Sequence, residues 1–597
     1  MTSSTYPVTP EVFVSRSQNL VAVGAQTSYQ LSITYILAYC LVGIGIYWSV
    51  LHGFFLCDDF FLIEKAKELD LVHPWTAVGY FRPLVSVVLL IEYRVWGLNP
   101  LGYYLTNIIV HAFNSFLIAR IILLFLERLP YVANKELLSF LAGLVFLVMP
   151  CHADAVSWIA GRTDVFALFF CLLSFYTFLC FMKTSRARNL IWSLIFFGLG
   201  LMSKESIVTY PFIILFTLGF LTTGSRESKE LESRMWFIPA AYGALVLGYI
   251  ILRYVTMGTV VRSLSELAVT SWATTDAGFL IKQVWISLAK ILLPVAQWPD
   301  TLRSVVVLSD SLWASRIFSL LVLAVMLACA VVLVFMLIPF PNPASRFLKQ
   351  KRYLNLGCLM MGCFVVALVP VLPWIRQSLQ MTPEDRYLYF PSVFAAMGVV
   401  IFLHGVLRKT PYVVTVLALT ISCYGASLFV ANQVWSAASD VSREVLYGTM
   451  EAAKKRDVVI LNVPEFMKGA YIFPFSLFVA LDLFSDGSHL NKVTIVSWQT
   501  LHDKGEALEV VDRPDVIIVK LKQGVCGLNG DLALDNRWKA ADVRPGGSFQ
   551  TTLYDVTNFR PQKGYTLRLK EPARNHAILY YDHSKMKLIE HSRANSQ

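Results

Sequence analysis

Charge is scarce in this chain. Asp, Glu, Lys and Arg make up 15% of its 597 residues, against roughly 25% in a soluble domain. That shortfall excludes an ordinary soluble enzyme. The hydrophobic fraction of 56% and a mean hydropathy of +0.58 fill the gap. Cysteine patterning is also lacking: the ten cysteines show no metal-ligand spacing and no short disulfide framework. Most of them, such as Cys40, Cys171, Cys180 and Cys329, lie in apolar runs as packing residues. No motif calls for a metal or a cofactor, although a divalent metal is not excluded. Residues 1–30 are polar and lack a basic region leading directly into a short apolar core. They read as a cytoplasmic tail, with the first span as a signal anchor rather than a cleaved leader. No Asn-x-Ser/Thr sequon occurs, which favours a bacterial inner membrane over an endoplasmic reticulum membrane without deciding between them. The net charge of +11 sits largely in loops between apolar runs, so it does not call for nucleic acid.

Long hydrophobic runs are present in abundance, many of them near the ~20 residues that cross a bilayer. The expected fold is a polytopic α-helical membrane protein of about eleven spans. They are placed at 31–51, 103–126, 137–150, 164–182, 190–203, 206–223, 236–256, 313–338, 354–373, 389–407 and 411–430. Arg128 and Lys135, then Lys183, Arg186 and Arg188, then Arg226, Lys229 and Arg234, then Arg346, Lys349, Lys351 and Arg352, then Arg408 and Lys409 occupy alternate loops. Taking these as cytoplasmic puts the N-terminus inside and the region beyond residue 431 outside. Phe279 to Val295, with Lys282 and Lys290, reads as an interfacial or re-entrant helix on the outer side.

Polar clusters then collect on the outer face. The first outer loop, 52–102, holds the adjacent carboxylates Asp58 and Asp59 and a helix expected from Phe60 to Leu71. It also holds Tyr80-Phe81-Arg82-Pro83-Leu84 and an interfacial stretch, Leu84 to Trp96. The second contains Pro150-Cys151-His152-Ala153-Asp154-Ala155-Val156 and Gly161-Arg162-Thr163-Asp164. The third is Ser203-Lys204-Glu205-Ser206, and another contains Pro383-Glu384-Asp385-Arg386-Tyr387. Each alone is consistent with helix capping or snorkelling, and together they indicate a polar site at one membrane surface. Such a site suits an enzyme that uses a lipid-linked phosphosugar. Arg and Lys bind phosphate oxygens by charge-assisted hydrogen bonds, and carboxylates deprotonate an acceptor hydroxyl and stabilise a cationic sugar. Asp58 or Asp59 is the expected base, with Asp59 the first choice. Arg82, Arg162, Lys204 and Arg386 are the candidate phosphate ligands, and His152, Asp154, Glu205, Asn107, His111 and Tyr387 the supporting residues.

The run Tyr80 to Leu84, followed by Gly97-Leu98-Asn99-Pro100-Leu101-Gly102-Tyr103 and Asn107-Ile108-Ile109-Val110-His111-Ala112, resembles the GT-C glycosyltransferases. So do Pro150 to Val156 with Gly161-Arg162, Lys204-Glu205, and Asp385-Arg386-Tyr387-Leu388-Tyr389-Phe390-Pro391-Ser392. The likeness is to the transmembrane and tetratricopeptide-repeat O-mannosyltransferases and their bacterial relatives, over residues 30–440. It implies a polyprenyl- or dolichyl-phosphate sugar donor, inverting transfer outside the cytoplasm, and a catalytic acidic pair at Asp58 and Asp59. A second acidic position, usually Glu in similar proteins, is Asp154 here. No 34-residue period follows residue 431, so the repeats are absent and the hydroxyl acceptor (protein, lipid or glycan) stays open.

Residues 431–597 read as a soluble α+β domain. A helix is expected over Ala437 to Lys455. Strands are expected at Val458–Val463, Val493–Trp498, Val516–Leu521, Tyr565–Leu569 and Ala577–Tyr581, with loops over Gly524 to Gly547. The domain's role is either to cap the membrane site or to present the acceptor. Competing readings are a transporter or flippase for lipid-linked sugars, a glycan polymerase or ligase, and a non-catalytic scaffold. Transporters place ionisable groups near the midplane, whereas these lie at span ends.

Overall fold

The computed structural model describes residues 32–68, 80–129, 132–222, 237–258, 277–293, 345–374, 384–473, 476–486, 488, 492–501, 506–513, 515–528, 549–551, 553–570 and 575–591. The expected N-terminal tail, the span at 313–338 and the basic residues Arg226, Lys229 and Arg234 lie outside them, as do the side chains of Arg346, Lys349 and Lys351.

The chain opens with α1, Ser32–Ile46, which kinks at Tyr47 into a single further turn, Trp48–Leu51. Three helices follow: α2, Asp58–Glu68; α3, Pro83–Trp96; and α4, Pro100–Leu126. Proline opens α3 and α4, where its missing N–H costs nothing. Asn99 caps α4 by accepting the Leu101 N–H at 3.1 Å. At 14 residues α3 is about 21 Å long, shorter than the ~30 Å hydrocarbon core. Then come α5, Lys135–Leu147, and a run of short turns from Pro150 to Gly161. After these come α6, Arg162–Thr184; α7, Ala187–Leu201; α8, Tyr210–Thr222; α9, Phe237–Met257; and α10, Ala277–Leu292. The membrane part ends with α11, Ser345–Leu368, and α12, Tyr389–Leu407, and α13, Thr410–Lys455, leads out of it.

Among the described residues six helices are long and apolar enough to cross a membrane, or seven if the bent pair Lys135–Leu147 and Pro150–Val156 is one span. The expected count of eleven is therefore not confirmed among the described residues, which leave out the span expected at 313–338. The expected spans at 31–51, 190–203 and 206–223 appear as shorter apolar helices. Leu41, Phe237, Val255, Phe402 and Leu419 stand exposed on the outside of the bundle. Such a surface is natural in a bilayer and a liability in water, and the chain is a multi-pass membrane protein. α10 is not among the crossing helices. Its C-terminal end is tied to α13, where Tyr424 Oη donates to Leu292 O at 2.8 Å.

α13 departs from expectation. Sequence separated a span at 411–430 from an amphipathic helix at 437–455, but the 46 residues form one helix, about 69 Å long and more than twice the bilayer core. Its first half is membrane-embedded and its second half carries the C-terminal α+β part as a continuous beam.

That part contains three sheets. One pairs β1 (Val458–Ile460) parallel with both β12 (Ala577–Asp582) and β4 (Val493–Ile495), with β13 (Lys587–Glu590) antiparallel on β12. A second pairs β2 (Val463–Met467) parallel with β5 (Ser497–Leu501), with β3 (Ala470–Tyr471) and β8 (Cys526–Leu528) antiparallel on its edges. The third is antiparallel, in the order β6 (Leu508–Arg513), β7 (Val516–Leu521), β11 (Gly564–Leu569), β10 (Tyr554–Arg560), β9 (Phe549–Gln550). The segments expected as single strands at 458–463 and 493–498 each break and pass from the first sheet to the second. Asn462 fills the break by donating to Gln499 Oε1 at 2.9 Å and accepting the Tyr581 N–H at 2.9 Å. One hydrophobic core runs without interruption from the bundle into this part, through Phe60, Phe473, Leu477, Val479 and Trp435.

The Pro150–Gly161 turns are packed backbone against backbone. A Cβ on Gly161 would lie 2.5 Å from Ala155 O and 2.7 Å from Asp154 O, whereas one on Gly198 in α7 meets nothing within 4 Å. Gly161→Ala is expected to cost about 1–3 kcal/mol of stability, as overpacking against rigid atoms does, and Gly198→Ala to cost nothing measurable. Thermal melts of the two purified variants check this; equal melting temperatures would contradict the packing.

Candidate active site

The adjacent carboxylates have different surroundings. α2 begins at Asp58, after Cys57 in the left-handed region at φ 45°, an uncommon conformation for a residue with a side chain. Asp59 is fully buried. Its Oδ2 accepts the Leu56 N–H at 2.9 Å, its own N–H donates to Leu56 O at 2.9 Å, and its Oδ1 accepts the Ala160 N–H at 2.8 Å. Burial pushes its carboxyl well above the usual range, and the two backbone donors pull the other way. Asp59 thus fastens the start of α2 to the turns before α6. Asp58 is partly exposed, and the hydrogen bond recorded for it is from Cys57 Sγ at 3.3 Å.

Trp158 joins this corner to the cations. Its indole N–H donates to Leu56 O at 3.2 Å, and its ring stacks on Tyr471, in β3 (Ala470–Tyr471), at 4.8 Å. The Arg386 guanidinium lies 4.9 Å above Trp158, 5.0 Å above Tyr387 and 5.7 Å above Tyr471. Asp154 accepts the Arg386 backbone N–H at 3.0 Å and stands 3.7 Å from Nη1, and its Oδ1 is buried without a protein partner.

A second group adjoins the first. Lys204 Nζ meets Asp164 Oδ2 at 2.5 Å and lies 5.0 Å above the same Tyr387 ring. Burial pulls Lys204 down to about 8, helped by Arg82 and Arg386 and opposed by Asp164. Arg82 grips Glu205 through Nε at 3.2 Å and Nη2 at 2.8 Å, the bidentate geometry of a guanidinium on a carboxylate. It also lies 4.3 Å above the Tyr80 ring. The Arg82 and Arg386 side chains keep 18% and 15% of their surface exposed, against 4% for Lys204, so these two arginines offer a ligand the most cationic surface.

Other residues singled out from sequence serve the framework. Arg162 is fully buried; it ion-pairs with Glu92 of α3 and donates to Tyr103 O at 3.0 Å and Ile159 O at 3.1 Å. Its guanidinium nitrogens are engaged in holding α3, α4 and the turns together, with no surface left for a phosphate. His111 Nε2 faces Leu147 O at 3.0 Å and must donate, so its Nδ1 accepts from Tyr389 Oη at 2.6 Å. His152 bonds Ser392 Oγ at 2.8 Å, and Asn107 donates to Trp158 O at 3.1 Å. These three are buried and position the Trp158 turn and α12.

Sequence reasoning missed several partners. Asp164 stood in a quoted motif but had no assigned role. Trp158 lies between two quoted motifs. Glu92 and Lys290 stand out in sequence only as charges in apolar stretches, and Tyr471 not at all, because their partners are distant; Lys290 meets Asp385 at 2.5 Å across 95 positions. Among the described residues no group of three His, Cys, Asp or Glu side chains is placed to hold a metal ion.

Residues 83–252 match the family model described as dolichyl-phosphate-mannose-protein mannosyltransferase. The chain is similar to protein O-mannosyl-transferase TMTC2 of Mus musculus, 30% identical over 190 residues, or 28% of this chain and 21% of that protein. It is also similar to protein O-mannosyl-transferase TMTC4 of Homo sapiens, 29% identical over 219 residues, or 33% of this chain and 27% of that protein. The matches thus span about a fifth to a quarter of the relatives' length. The crystal structure of ArnT from Cupriavidus metallidurans bound to undecaprenyl phosphate aligns over 81% of this chain and 96% of its own, at 12% identity and a TM-score of 0.34. A TM-score that low carries no argument. The family model and the named relatives support the resemblance to the GT-C glycosyltransferases seen in the motifs.

The Asp59 clamp generates a prediction. Asp59→Asn replaces one acceptor by an NH₂ facing a backbone N–H in a buried site, an expected loss of about 1–3 kcal/mol. Asp58→Asn at the partly exposed neighbour leaves the melting temperature within a degree or so of wild type, since such surface changes are usually within about 0.5 kcal/mol. Paired thermal melts decide it, and equal destabilisation by both would refute the division of roles.

Proposed function

We propose that this protein is an integral-membrane glycosyltransferase. It moves a sugar from a polyprenyl- or dolichyl-phosphate-linked donor to a hydroxyl acceptor, with inversion, and Asp58 is the base. The observation that carries this is the run of contacts that leads from the Leu56 corner, just before the partly exposed Asp58, through Trp158 to the partly exposed Arg386 and on through Tyr387 to Lys204. Family resemblance supports the same assignment. Arg386 and Arg82 hold the donor phosphate, with Lys204 behind them. Asp154, Asp164 and Glu205 orient these cations. The acceptor oxygen attacks the anomeric carbon as its proton passes to Asp58. The bond from that carbon to the phosphate oxygen breaks, and the lipid phosphate leaves with the added negative charge, which the arginines stabilise. The Lys/Arg pattern supports placing this face outside the cytoplasm, with the α+β part on the same side.

Asp58→Asn should lower kcat by about 10²–10⁴-fold, the usual worth of a general base, while dolichyl phosphate still binds. Near-wild-type transfer by Asp58→Asn would move the base elsewhere. The pH profile gives a second test. Lys204, held at about 8, is cationic below that pH and neutral above it. The ratio kcat/KM for donor should therefore fall as pH rises through about 8, and Lys204→Arg should remove that fall, because Arg stays charged. An alkaline limb unchanged in Lys204→Arg would assign it to another group.

A further inference from the structure

The α+β part enters the site through one hairpin. β2 and β3 pair antiparallel, with Phe466 opposite Tyr471, and turn through Lys468 at φ 48° and Gly469 at φ 90°. A turn with both central residues at positive φ matches the twist of a tight hairpin. Beyond it the chain is anchored to the loop before Asp58: Cys57 N–H donates to Ile472 O at 2.9 Å, and Phe473 stacks on Phe60 at 5.6 Å and 17°. α14, Leu477–Ser485, packs Phe484 against Phe54, Phe55 and Phe60, and Lys67 pairs with Asp486 at 2.7 Å. These contacts fix Tyr471 beside Trp158 at 25° between ring planes, with Phe466 tilted behind it at 5.1 Å.

Asp154 holds Arg386 more closely by its backbone N–H, at 3.0 Å, than by its guanidinium, at 3.7 Å. Three rings face that guanidinium, at 4.9, 5.0 and 5.7 Å. Trp158 has its own indole anchor, and Tyr387 is the neighbour of Arg386 in the chain. Tyr471 is the ring supplied by the C-terminal part, and both its π face and its hydroxyl, which hydrogen-bonds the Arg386 side chain, act on the cation. We infer that Tyr471 is a positioning residue of the transferase site, holding Arg386 in the orientation that receives the donor phosphate. The α+β part is then a wall of the donor site. This rests on the reading that Arg386 binds the phosphate.

The test uses the full chain in lipid nanodiscs, with dolichyl phosphate as the binding probe and transfer from a dolichyl-phosphate sugar as the kinetic readout. Tyr471→Ala and Tyr471→Leu both remove the aromatic face, and the Leu variant keeps the apolar bulk, so it decides the matter if Ala fails to fold. Both should weaken dolichyl phosphate binding and raise donor KM about tenfold, the scale of a desolvated cation–π contact, with kcat within about twofold. Tyr471→Phe, which keeps the ring and loses only the hydroxyl's hydrogen bond to Arg386, should recover most of the KM effect. A purely structural role would lower the folded yield without splitting KM from kcat. Wild-type binding by a folded Tyr471→Leu variant overturns the inference alone. A wild-type protein that binds no dolichyl phosphate overturns the functional reading, and the inference with it.

Discussion

The Asp59 carboxylate is the joint on which the site depends. One oxygen takes the Leu56 N–H and the other the Ala160 N–H, 101 positions along the chain from Asp59. A buried carboxyl is expensive, and two backbone donors are what make it tolerable. The arrangement fixes where α2 starts, and so where Asp58 sits. It also fixes the turns from Pro150 to Gly161 that carry Trp158 and Asp154. Arg162 reinforces the same corner from below, tying Glu92 and two carbonyls together. Removing one partner of such a buried pair would strand the other charge. These buried polar groups therefore supply geometry, while Asp58, Arg82 and Arg386 beside them keep some surface.

The remaining rigidity comes from α13. A helix that leaves the membrane without a break carries the α+β part at a fixed angle, and its own residues line the junction: Trp435 stacks near Trp158, Asn432 accepts from Ser157 Oγ at 2.8 Å, and Ser442 donates to Phe55 O at 2.8 Å. The continuous core through Phe60, Phe473 and Leu477 makes this part a structural component of the site, not a tethered appendage. Such a junction does not hinge without losing many buried aromatic contacts.

Composition and hydrophobic run length made the membrane class legible, because a bilayer demands long apolar segments whatever the fold. Motif order made the neighbourhood of the site legible: Arg82, Asp154, Lys204, Glu205 and Arg386 do converge. Pair identities were not legible. Arg162 looks like a phosphate ligand beside Asp164, yet its partner is Glu92, 70 positions away, and no spacing rule reports that. Asp58 and Asp59 are adjacent, so only the helix start could orient them. In sequence, a change from apolar to amphipathic patterning separates the span at 411–430 from the helix at 437–455. Polarity changes where a helix leaves the bilayer, but the backbone need not. Tyr471 was invisible because its function depends on tertiary placement of a two-residue strand.

The proposed reaction is a single displacement, with the donor phosphate on Arg386 and Arg82 and the acceptor proton passing to Asp58. The most direct measurement reconstitutes the purified protein in proteoliposomes with a dolichyl-phosphate-linked sugar of known anomeric configuration and a panel of hydroxyl acceptors, and reads the product anomer by NMR together with released dolichyl phosphate. The account predicts one dolichyl phosphate released per sugar transferred and an anomer opposite to the donor's. A product with the donor's own configuration would contradict it by requiring two displacements, and sugar moved across the bilayer still attached to its lipid would contradict it by making the protein a transporter.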